Sequence, residues 1–346
     1  MSKTIIRSRA PLRISFGGGG TDVAPYCVER GGLVLNATIN RYAYVTIEPN
    51  DSGRIKLVSL DFGQEVVYDA DSPIPTENDD MKLAKGVIRR LGISGEGFNL
   101  YTHTDCPPGS GLGASSTMVV ALLGAFNEWQ GLGLGTYDIA QLAYDIERID
   151  LGIKGGSQDQ YAAAFGGFNL IEFYADHVLV NPLRISDAAI AELEYSLILA
   201  FTGKSRFSSS IIETQIRNYE VQNADAIAGM DATKALATEM KVAILKGTYR
   251  RLGELLHEAW VAKKKMSDHI SNPQIDLLYE AACEAGAVGG KISGAGGGGF
   301  MYFFAAFDKR KAVADAIQAL GAEVVHFGFT QTGLQAWKRN IPINNK

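Results

Sequence analysis

The sequence has few cysteines, no long apolar run and no long run of one charge, and each shortage argues against a class of protein. Its cysteines, Cys27, Cys106 and Cys283, are odd in number and far apart, which disfavours a disulfide framework and a C-x-x-C zinc site. No apolar stretch approaches the roughly 18 residues of a membrane span, and the first residues lack the apolar core of a signal peptide. We therefore expect a cytoplasmic protein with reduced thiols.

Charge is nearly balanced along the chain. Lys and Arg number 33 against 38 Asp and Glu, for a net charge of −5. This balance argues against a protein that binds nucleic acid or a membrane surface through general electrostatics. At 346 residues, 46% hydrophobic and 21% charged, the chain is an ordinary globular protein with a length suited to about two domains.

Glycine is the residue type in excess. The chain has 39 glycines, about 11% where about 7% is typical. Many fall in three clusters, which we name the first glycine loop (residues 17–22), the second (107–113) and the third (293–299). Repeated glycine costs backbone entropy on folding, so three such loops indicate close approach of a ligand or of another part of the chain. A single loop of this kind is also compatible with a plain structural turn.

The remaining pattern predicts a mixed fold. Alternating β-branched and aromatic residues predict early strands over 4–8, 33–39, 42–48, 55–59 and 64–68. Further strands are predicted over 98–104, 168–173, 300–307 and 323–329. Helical patterns with end signals predict helices over 82–91, 115–128, 137–149, 208–220, 224–246, 249–265, 273–285 and 308–320. A further helical segment is predicted to begin at Ser157 and to end at Gly166-Gly167. This order predicts an α+β protein with one domain over 1–190 and a second over 191–346.

Two short matches to other nucleotide-binding motifs fail on their surroundings. Gly203-Lys204-Ser205 resembles the end of a P-loop, but Ile198 stands where that motif needs a glycine. Gly294-x-Gly296-x-x-Gly299 is followed by a predicted strand, whereas a dinucleotide-binding motif opens a helix. Neither match predicts a nucleotide site.

The second glycine loop lies between a predicted strand and a predicted buried helix. Glycines let backbone N–H groups converge, and the helix adds the positive end of its dipole, so this turn predicts an anion-binding cradle. A serine hydroxyl in the first helical turn can cap the helix or reach a metal-bound phosphate. The residues predicted to bind the anion are Pro108, Gly109, Ser110, Gly111, Leu112, Gly113, Ala114, Ser115 and Ser116.

The three loops lie in segments that resemble the signatures of the GHMP small-molecule kinases, the family of galactokinase, homoserine kinase, mevalonate kinase and phosphomevalonate kinase. The segments are 10–22, 108–116 and 291–297, in the family's order. One departure is Ala114, where many members have serine. The resemblance implies a two-domain fold, with an N-terminal domain like domain 2 of ribosomal protein S5 and a ferredoxin-like C-terminal domain.

The resemblance also implies a phosphoryl transfer site that uses ATP and Mg²⁺. The second glycine loop would hold the triphosphate, and Ser115 would bind the metal together with Glu147. The position of Glu147 agrees, because a carboxylate near the C-terminal end of a predicted helix is unfavourable unless a cation is close. By the same resemblance Asp159 would be the catalytic carboxylate, and Arg13 would supply a fixed positive charge beside it.

The residues around Asp159 indicate its place on a helix. Ser157 and Gln160 have the spacing of a capping box, which puts Asp159 at the second helical position. There the helix dipole favours the ionised carboxylate. An ionised carboxylate is a weak base for an alcohol, but the loose transition state of phosphoryl transfer needs little deprotonation before attack.

Within the family, the first motif looks most like that of kinases acting on D-glycero-D-manno-heptose 7-phosphate, with the kinase domain of L-fucokinase next. This likeness implies phosphorylation of the anomeric hydroxyl, for nucleotide-activated heptose used in capsule, lipopolysaccharide or surface-layer glycans. Asp22 would bind sugar hydroxyls, and Lys204 and Arg206 are our candidates for holding the substrate phosphate. The predicted substrate-binding residues are Gly19, Gly20, Thr21, Asp22, Lys204, Arg206, Gly294, Gly296 and Gly297.

Two other functions stay open on the sequence. A sugar sensor without turnover predicts loss of the reactive residues, yet Arg13, Ser115, Glu147 and Asp159 are all present. A kinase of L-fucose or of an isoprenoid alcohol would keep the site and change the acceptor. The expected partners are a sugar phosphate and ATP, with neither nucleic acid nor membrane, and a homodimer is compatible with the sequence.

Overall fold

The computed structural model describes residues 2–75, 81–107, 109–203 and 209–342. Helices and two sheets alternate along this part of the chain, which confirms the α+β prediction. Within the described residues, the structure contains no helix that combines the length and the apolar character needed to cross a bilayer.

The first sheet gathers strands from both ends of the chain. Its strands are β1 Ser2–Gly17, β2 Gly32–Asn50, β3 Arg54–Ser59, β4 Gln64–Asp69, β5 Gly97–Thr104, β6 Phe168–Phe173, β7 Val178–Pro182 and β12 Gln335–Pro342. The order is β12-β1-β2-β5-β3-β4, and β6 pairs with β2 and β7. All pairs are antiparallel except β3 with β5.

The long strand β2 is the centre of this sheet. Its first part, 32–37, pairs with β6, and its second part, 43–50, pairs with β5. Strand β1 lies along the other side of β2 and ends at Gly17. The first glycine loop therefore begins at the edge where β1, β2 and β6 meet.

The second sheet is antiparallel and has the order β11-β8-β10-β9. Its strands are β8 Leu197–Phe201, β9 Ala287–Ile292, β10 Phe300–Ala305 and β11 Glu323–Val325. The third glycine loop connects β9 to β10.

Helices cover the sheets, and one short stretch is a π-helix, Asp145–Asp150. The α-helices are α1 Tyr26–Arg30, α2 Lys82–Leu91, α3 Ala114–Gln130, α4 Thr136–Tyr144, α5 Gln158–Phe165, α6 Asp187–Ser196, α7 Ser209–Glu220, α8 Ala224–Lys246, α9 Tyr249–Lys264, α10 Pro273–Glu284 and α11 Arg310–Ala319. The π-helix continues α4 without a break and leads to the N-terminus of α5.

A shared core joins the two sheets. Side chains of β1, α8, α9 and β10 belong to one buried cluster. Within it the ring of Phe16 lies 6.3 Å from the ring of Phe168 and 6.1 Å from that of Tyr302, between centroids. Because aromatic burial of this kind is among the largest apolar contributions to folding, β1 is fixed on both sides, and its C-terminal end is a rigid support for the residues that follow it.

Several elements were not predicted from the sequence. Strand β9 carries Gly289 and Gly290, which weaken a strand pattern. A Cβ on Gly289 would lie 2.9 Å from the backbone nitrogen of His257 on α9, so packing requires the glycine there. Strands β7, β8 and β12 and helix α6 were also missed. Strand β1 is longer than predicted, and the two strands predicted over 33–39 and 42–48 form the single strand β2.

The domain boundary near residue 190 stays a prediction. Strand β12 lies after that boundary in sequence, yet it pairs with β1 along the register from Ser2 with Pro342 to Arg9 with Gln335. The last strand of the chain is thus part of the first sheet.

Candidate active site

A cleft of about 710 Å³ lies where the glycine loops meet. The second glycine loop, the π-helix, the N-terminus of α5 and parts of the first and third loops line it. The cleft therefore brings together the three regions that sequence reasoning assigned to the nucleotide, the metal and the catalytic carboxylate.

The second glycine loop has the backbone shape of an anion cradle. Gly109, Gly111 and Gly113 have φ angles of 73°, 77° and 81°, in the left-handed region that glycine adopts without strain. Helix α3 starts at Ala114, so the positive end of its dipole lies at the cleft. Gly113 also lets Asp159 approach, since a Cβ there would lie 3.0 Å from the carboxyl carbon of Asp159.

The third glycine loop packs directly on the second. A Cβ on Gly111 would lie 2.6 Å from the carbonyl oxygen of Ser293, and a Cβ on Gly294 would lie 2.7 Å from that of Gly111. Ser110 accepts a hydrogen bond from the Phe300 amide at 2.8 Å. The glycines at these contacts are explained by close approach of two loops, which was one of the readings open at the sequence level.

Of the third-loop residues predicted to bind substrate, the structure places some at the cleft and one away from it. Gly294 and Gly296 line the cleft. Gly297 is not among the lining residues, and its amide donates a hydrogen bond of 2.9 Å to the Ile270 carbonyl. The backbone of Gly297 thus fixes the loop to the segment after α9.

Glu147 is the centre of a buried polar cluster, and its exposed fraction is 1%. Ser115 donates to its Oε1 at 2.7 Å, Ser116 donates to its Oε2 at 2.6 Å, and Gln160 donates to Oε2 at 2.7 Å. Arg148 Nη1 lies 3.3 Å from Oε1. A buried carboxylate needs such partners, because burial of an unanswered charge is costly.

The pair of Ser115 and Glu147 fits the expected magnesium ion. Both side chains line the cleft beside the second glycine loop, and both present oxygen, the donor that Mg²⁺ prefers. No group of three or more His, Cys, Asp or Glu side chains suited to a metal occurs in the described residues. Mg²⁺ sites commonly need only one or two carboxylates from the protein, because substrate phosphates and water supply the other ligands.

Arg148 was missed by sequence reasoning although it lines the cleft. Its Nη2 donates to Ser116 at 3.3 Å and to the Gly156 carbonyl at 3.0 Å. Gly155 must lack a side chain, because a Cβ there would come into severe contact with the Arg148 guanidinium. The glycine pair before α5 was the available signal, since it indicated close approach without showing which side chain approaches.

Arg13 and Asp159 form an ion pair in which the arginine is buried and the aspartate is partly exposed. Arg13 Nε donates to Asp159 Oδ1 at 2.7 Å, and Arg13 Nη2 lies 2.6 Å from the same oxygen. The Arg13 side chain is 3% exposed and the Asp159 side chain is 20% exposed. Arg13 Nη1 also donates to the Gly111 carbonyl at 2.7 Å, so one guanidinium joins β1, the second glycine loop and α5.

Asp22 lies at the N-terminus of α5 and is 3% exposed. It accepts hydrogen bonds from the Gln158 amide at 3.1 Å, from Gln158 Nε2 at 3.2 Å and from the Gly20 amide at 3.1 Å. Burial raises the pKa of Asp22 above its usual value, and the hydrogen bonds from Gln158 and Gly20 oppose that rise only in part.

The predicted capping box of α5 is wrong, although Asp159 does occupy the second helical position. The Ser157 hydroxyl donates to the Asp22 carbonyl at 3.4 Å instead of accepting from the helix. Gln160 is directed to Glu147, as described above. The tertiary contact replaces the local one because Asp22 supplies the missing cap by accepting from the first helical amide.

The other first-loop residues predicted to bind substrate differ in whether they line the cleft. Gly20 lines the cleft. Thr21 is fully buried, and its hydroxyl donates to the Gly18 carbonyl at 2.7 Å and accepts from the Leu33 amide at 3.1 Å. Thr21 and Gly19 are not among the lining residues, so the structure does not place them at the cleft.

Three predicted residues lie outside the described part of the chain. They are Pro108 of the second loop and the two bases proposed for the substrate phosphate, Lys204 and Arg206. Two lining residues that sequence reasoning did not single out, Lys263 of α9 and Gln215 of α7, are buried at the first glycine loop end of the cleft.

Two family models match the chain. One, described as GHMP kinases N terminal domain, matches residues 81–167, and the other, GHMP kinases C terminal, matches residues 240–324. A Campylobacter jejuni protein named D-glycero-alpha-D-manno-heptose 7-phosphate kinase is 40% identical over 338 residues, which are 96% of this chain and 99% of that protein. A Bacteroides fragilis L-fucokinase/L-fucose-1-P guanylyltransferase is 28% identical over 332 residues, which are 88% of this chain and 35% of that protein.

Solved structures of sugar kinases also resemble this chain. A structure named D-glycero-D-manno-heptose 1-phosphate kinase from Bacteroides thetaiotaomicron shares 41% identity with a TM-score of 0.81, covering 96% of this chain and 98% of that one. Lactococcus lactis galactokinase complexed with galactose has a TM-score of 0.73 at 21% identity, covering 96% and 95% of the two chains, which is a likeness of fold alone.

Proposed function

The chain belongs to the GHMP kinase family and is a phosphotransferase with an alcohol acceptor, and from that premise we propose that it phosphorylates the anomeric hydroxyl of D-glycero-D-manno-heptose 7-phosphate. ATP is the donor, Mg²⁺ is the metal, and the product is the 1,7-bisphosphate. Relatives that align over their whole length carry names for kinases of heptose phosphates, which supports this acceptor class. An anomeric phosphate is also the kind of product that a nucleotidyltransferase consumes.

The observation that carries the proposal is that one ion pair and one hydroxyl–carboxylate pair line the same cleft. The Arg13–Asp159 pair and the Ser115–Glu147 pair both line this cleft together with the second glycine loop. A phosphoryl transfer site needs a group to receive the acceptor proton, a cradle for the donor phosphates and ligands for a metal. These four residues and the loop supply all three.

The chain's own residues divide the reaction between them. Asp159 orients the acceptor hydroxyl and takes its proton as the new oxygen–phosphorus bond forms and the bond from the γ-phosphorus to the ADP oxygen breaks. The electron pair of that bond leaves with ADP. Arg13 holds the Asp159 carboxylate in place and offsets negative charge near the transferring group.

Backbone N–H groups at the start of α3 bind phosphate oxygens of the donor, and the positive φ angles of the second loop let those groups face the cleft. Mg²⁺ would neutralise charge on the phosphates when bound. Ser115 and Glu147 would hold it, and Ser116, Gln160 and Arg148 keep the Glu147 carboxylate oriented.

An acceptor panel tests the proposal. ADP release should be greatest with D-glycero-D-manno-heptose 7-phosphate and much lower with heptose 1-phosphate, L-fucose and mevalonate. Phosphorus NMR of the product should show a new phosphate on the anomeric carbon. Preferred turnover of L-fucose would move the acceptor to the fucokinase alternative, and ATP binding without turnover of any acceptor would support a sensor.

Two variants test the assigned roles. Asp159→Asn should lower kcat by about 10²- to 10⁴-fold, the usual contribution of a positioned acid or base, while the Kd for ATP stays unchanged. The matched control is Asp187→Asn, a carboxylate in the first turn of α6 on the surface, which should behave as wild type. Glu147→Gln should raise the Mg²⁺ concentration needed for half-maximal rate, and an unchanged requirement would contradict the metal assignment.

The cytoplasmic location and a homodimer stay predictions.

A further inference from the structure

Lys263 is a buried cation in the cleft, and the mechanism above assigns it no role. It lies in the last turn of α9, lines the cleft and is 3% exposed. Within the described residues it makes neither a hydrogen bond nor an ion pair. Burying an ammonium group without a partner is costly. A lysine at this place is therefore explained only if a bound ligand supplies the partner.

Charged groups surround Lys263 from three elements. The negative charge of Asp22, in the first glycine loop, attracts Lys263. The positive charges of Arg13 on β1 and Lys291 on β9 and that of Lys263 repel each other. Arg13 is already paired with Asp159, and Lys291 Nζ donates to the Ser15 carbonyl at 2.9 Å. Lys263 is thus the cation of this cluster whose hydrogen-bond donors are unused.

A second unused donor lies close by. Gln215 of α7 lines the cleft at 2% exposure, and its Nε2 has no partner in the described structure. Its Oε1 packs at Gly20, where a Cβ would also meet the sulfur of Met266, three residues after Lys263. The amide of Gln215 and the ammonium of Lys263 therefore belong to the same end of the cleft.

Acceptor atoms line the same cleft as these donors. The Asp22 carboxylate lines the cleft, and Gln158 Oε1 is buried without a partner. Unpaired donors and acceptors in one buried pocket are costly until a ligand pairs with both kinds. A hydroxyl group is such a ligand, because it donates one hydrogen bond and accepts others.

We propose that Lys263 and Gln215 donate hydrogen bonds to ring hydroxyls of the sugar next to the acceptor hydroxyl, with Asp22 and Gln158 accepting from the same hydroxyls. This assignment deepens the proposed function and rests on it. Lys263 is then a positioning and specificity-determining residue. It favours a polyhydroxylated acceptor over an isoprenoid alcohol, whose apolar chain would leave the ammonium unpaired.

The geometry favours a hydroxyl partner over the substrate phosphate. Lys263 lines the same cleft as Arg13 and Asp22, whose charges act on it. Arg13 is paired with Asp159, so the ammonium lies on the side of the catalytic carboxylate. A phosphate dianion at that point would lie beside the carboxylates of Asp22 and Asp159. A neutral hydroxyl has no such conflict.

The experiment compares wild type with Lys263→Met, and Lys265→Met is the matched control. Lys265 is two residues away and exposed, so its change removes the same charge outside the cleft. Lys263→Met should raise the KM for heptose 7-phosphate by about 10- to 100-fold, as expected for loss of a buried charge-assisted hydrogen bond. The KM for ATP should stay within about twofold of wild type, and Lys265→Met should match wild type in both constants.

A pH profile separates positioning from a purely structural role. Burial lowers the pKa of Lys263 to about 8, so the wild-type KM for the sugar should rise above that pH as the ammonium loses its proton. Lys263→Arg keeps a fixed charge and should give a profile without that rise. Burial also raises the pKa of Asp22, so the part of the profile assigned to Lys263 is the rise that wild type shows and Lys263→Arg lacks.

Each outcome has one meaning. Wild-type turnover of heptose 7-phosphate with an unchanged sugar KM in Lys263→Met would overturn this inference and leave the proposed function intact. A loss that disappears when the acceptor is heptose without its 7-phosphate would show that Lys263 binds phosphate, which also overturns it. Failure of wild type to phosphorylate any sugar would instead overturn the proposed function.

Discussion

Replacement of Lys263 by Met should make the protein more stable at neutral pH. The pKa of this buried lysine falls from 10.5 to about 8 because burial disfavours the charged form. At about 1.4 kcal/mol per pH unit, this fall corresponds to a destabilisation of about 3 kcal/mol wherever the lysine is protonated in both the folded and unfolded states. Lys263→Met removes the charge and keeps an apolar side chain, so the free energy of unfolding at pH 7 should rise towards that amount.

The pH dependence gives the sign of the effect. Between about pH 8 and 10.5 the unfolded chain keeps a proton on Lys263 that the folded protein has lost, so wild-type stability gains relative to the variant as pH rises. The stability difference should therefore be largest at pH 7 and shrink above pH 8. Urea unfolding of wild type, Lys263→Met and the control Lys265→Met at pH 7, 8, 9 and 10 measures it. A variant less stable than wild type at pH 7, or a difference that does not change with pH, would refute the reasoning.

Three further predictions concern the ion pair, the buried carboxyl and the loop contact. In a double-mutant cycle, Arg13→Met and Asp159→Asn should couple by about 2–4 kcal/mol in urea unfolding, since the buried Arg13 side chain makes two short contacts with one Asp159 oxygen. Additive effects would show that the pair contributes nothing. Asp22 has a raised pKa, so the unfolded state loses its proton first and this group destabilises the folded protein as pH rises above 3.8. Asp22→Asn should accordingly gain stability relative to wild type as the pH rises above 3.8 in thermal melts, and a constant difference would contradict this. Gly111→Ala should lower the free energy of unfolding by more than about 1 kcal/mol, because the left-handed φ and the 2.6 Å contact of the new Cβ with a carbonyl oxygen both oppose it. The control Gly133→Ala, at φ 71° in open space, should lose only the part that comes from the backbone conformation. Equal losses of Tm in the two variants would argue against the loop contact.

The glycine loops were predictable because their function depends on local backbone geometry. A run such as Gly109 to Gly113 can adopt positive φ angles wherever it stands in a fold, and the serines after it fall on the first helical turn from sequence position alone. The order of the three loops along the chain carried the family resemblance, and the family models confirm it. The α+β class followed from element order, although strand β9 was hidden by its own glycines.

The partners of the site residues were less accessible to sequence reasoning. The spacing of Ser157 and Gln160 satisfied a local capping rule, yet both side chains bond to distant parts of the chain. Asp22, 136 residues before Gln158, takes the capping position instead. A local rule failed here because a buried site offers competing partners that sequence spacing does not show.

The sequence by itself determined where the glycine loops lie and which reactive groups accompany them, because backbone freedom and side-chain chemistry belong to single residues. Only the tertiary structure decided which of three consecutive lysines, Lys263, Lys264 or Lys265, is buried in the cleft. In the sequence the three form an ordinary charge run at the end of a helix. Burial depends on how α9 docks against the first glycine loop, and that contact is made between segments more than 200 residues apart, by packing that no local pattern records.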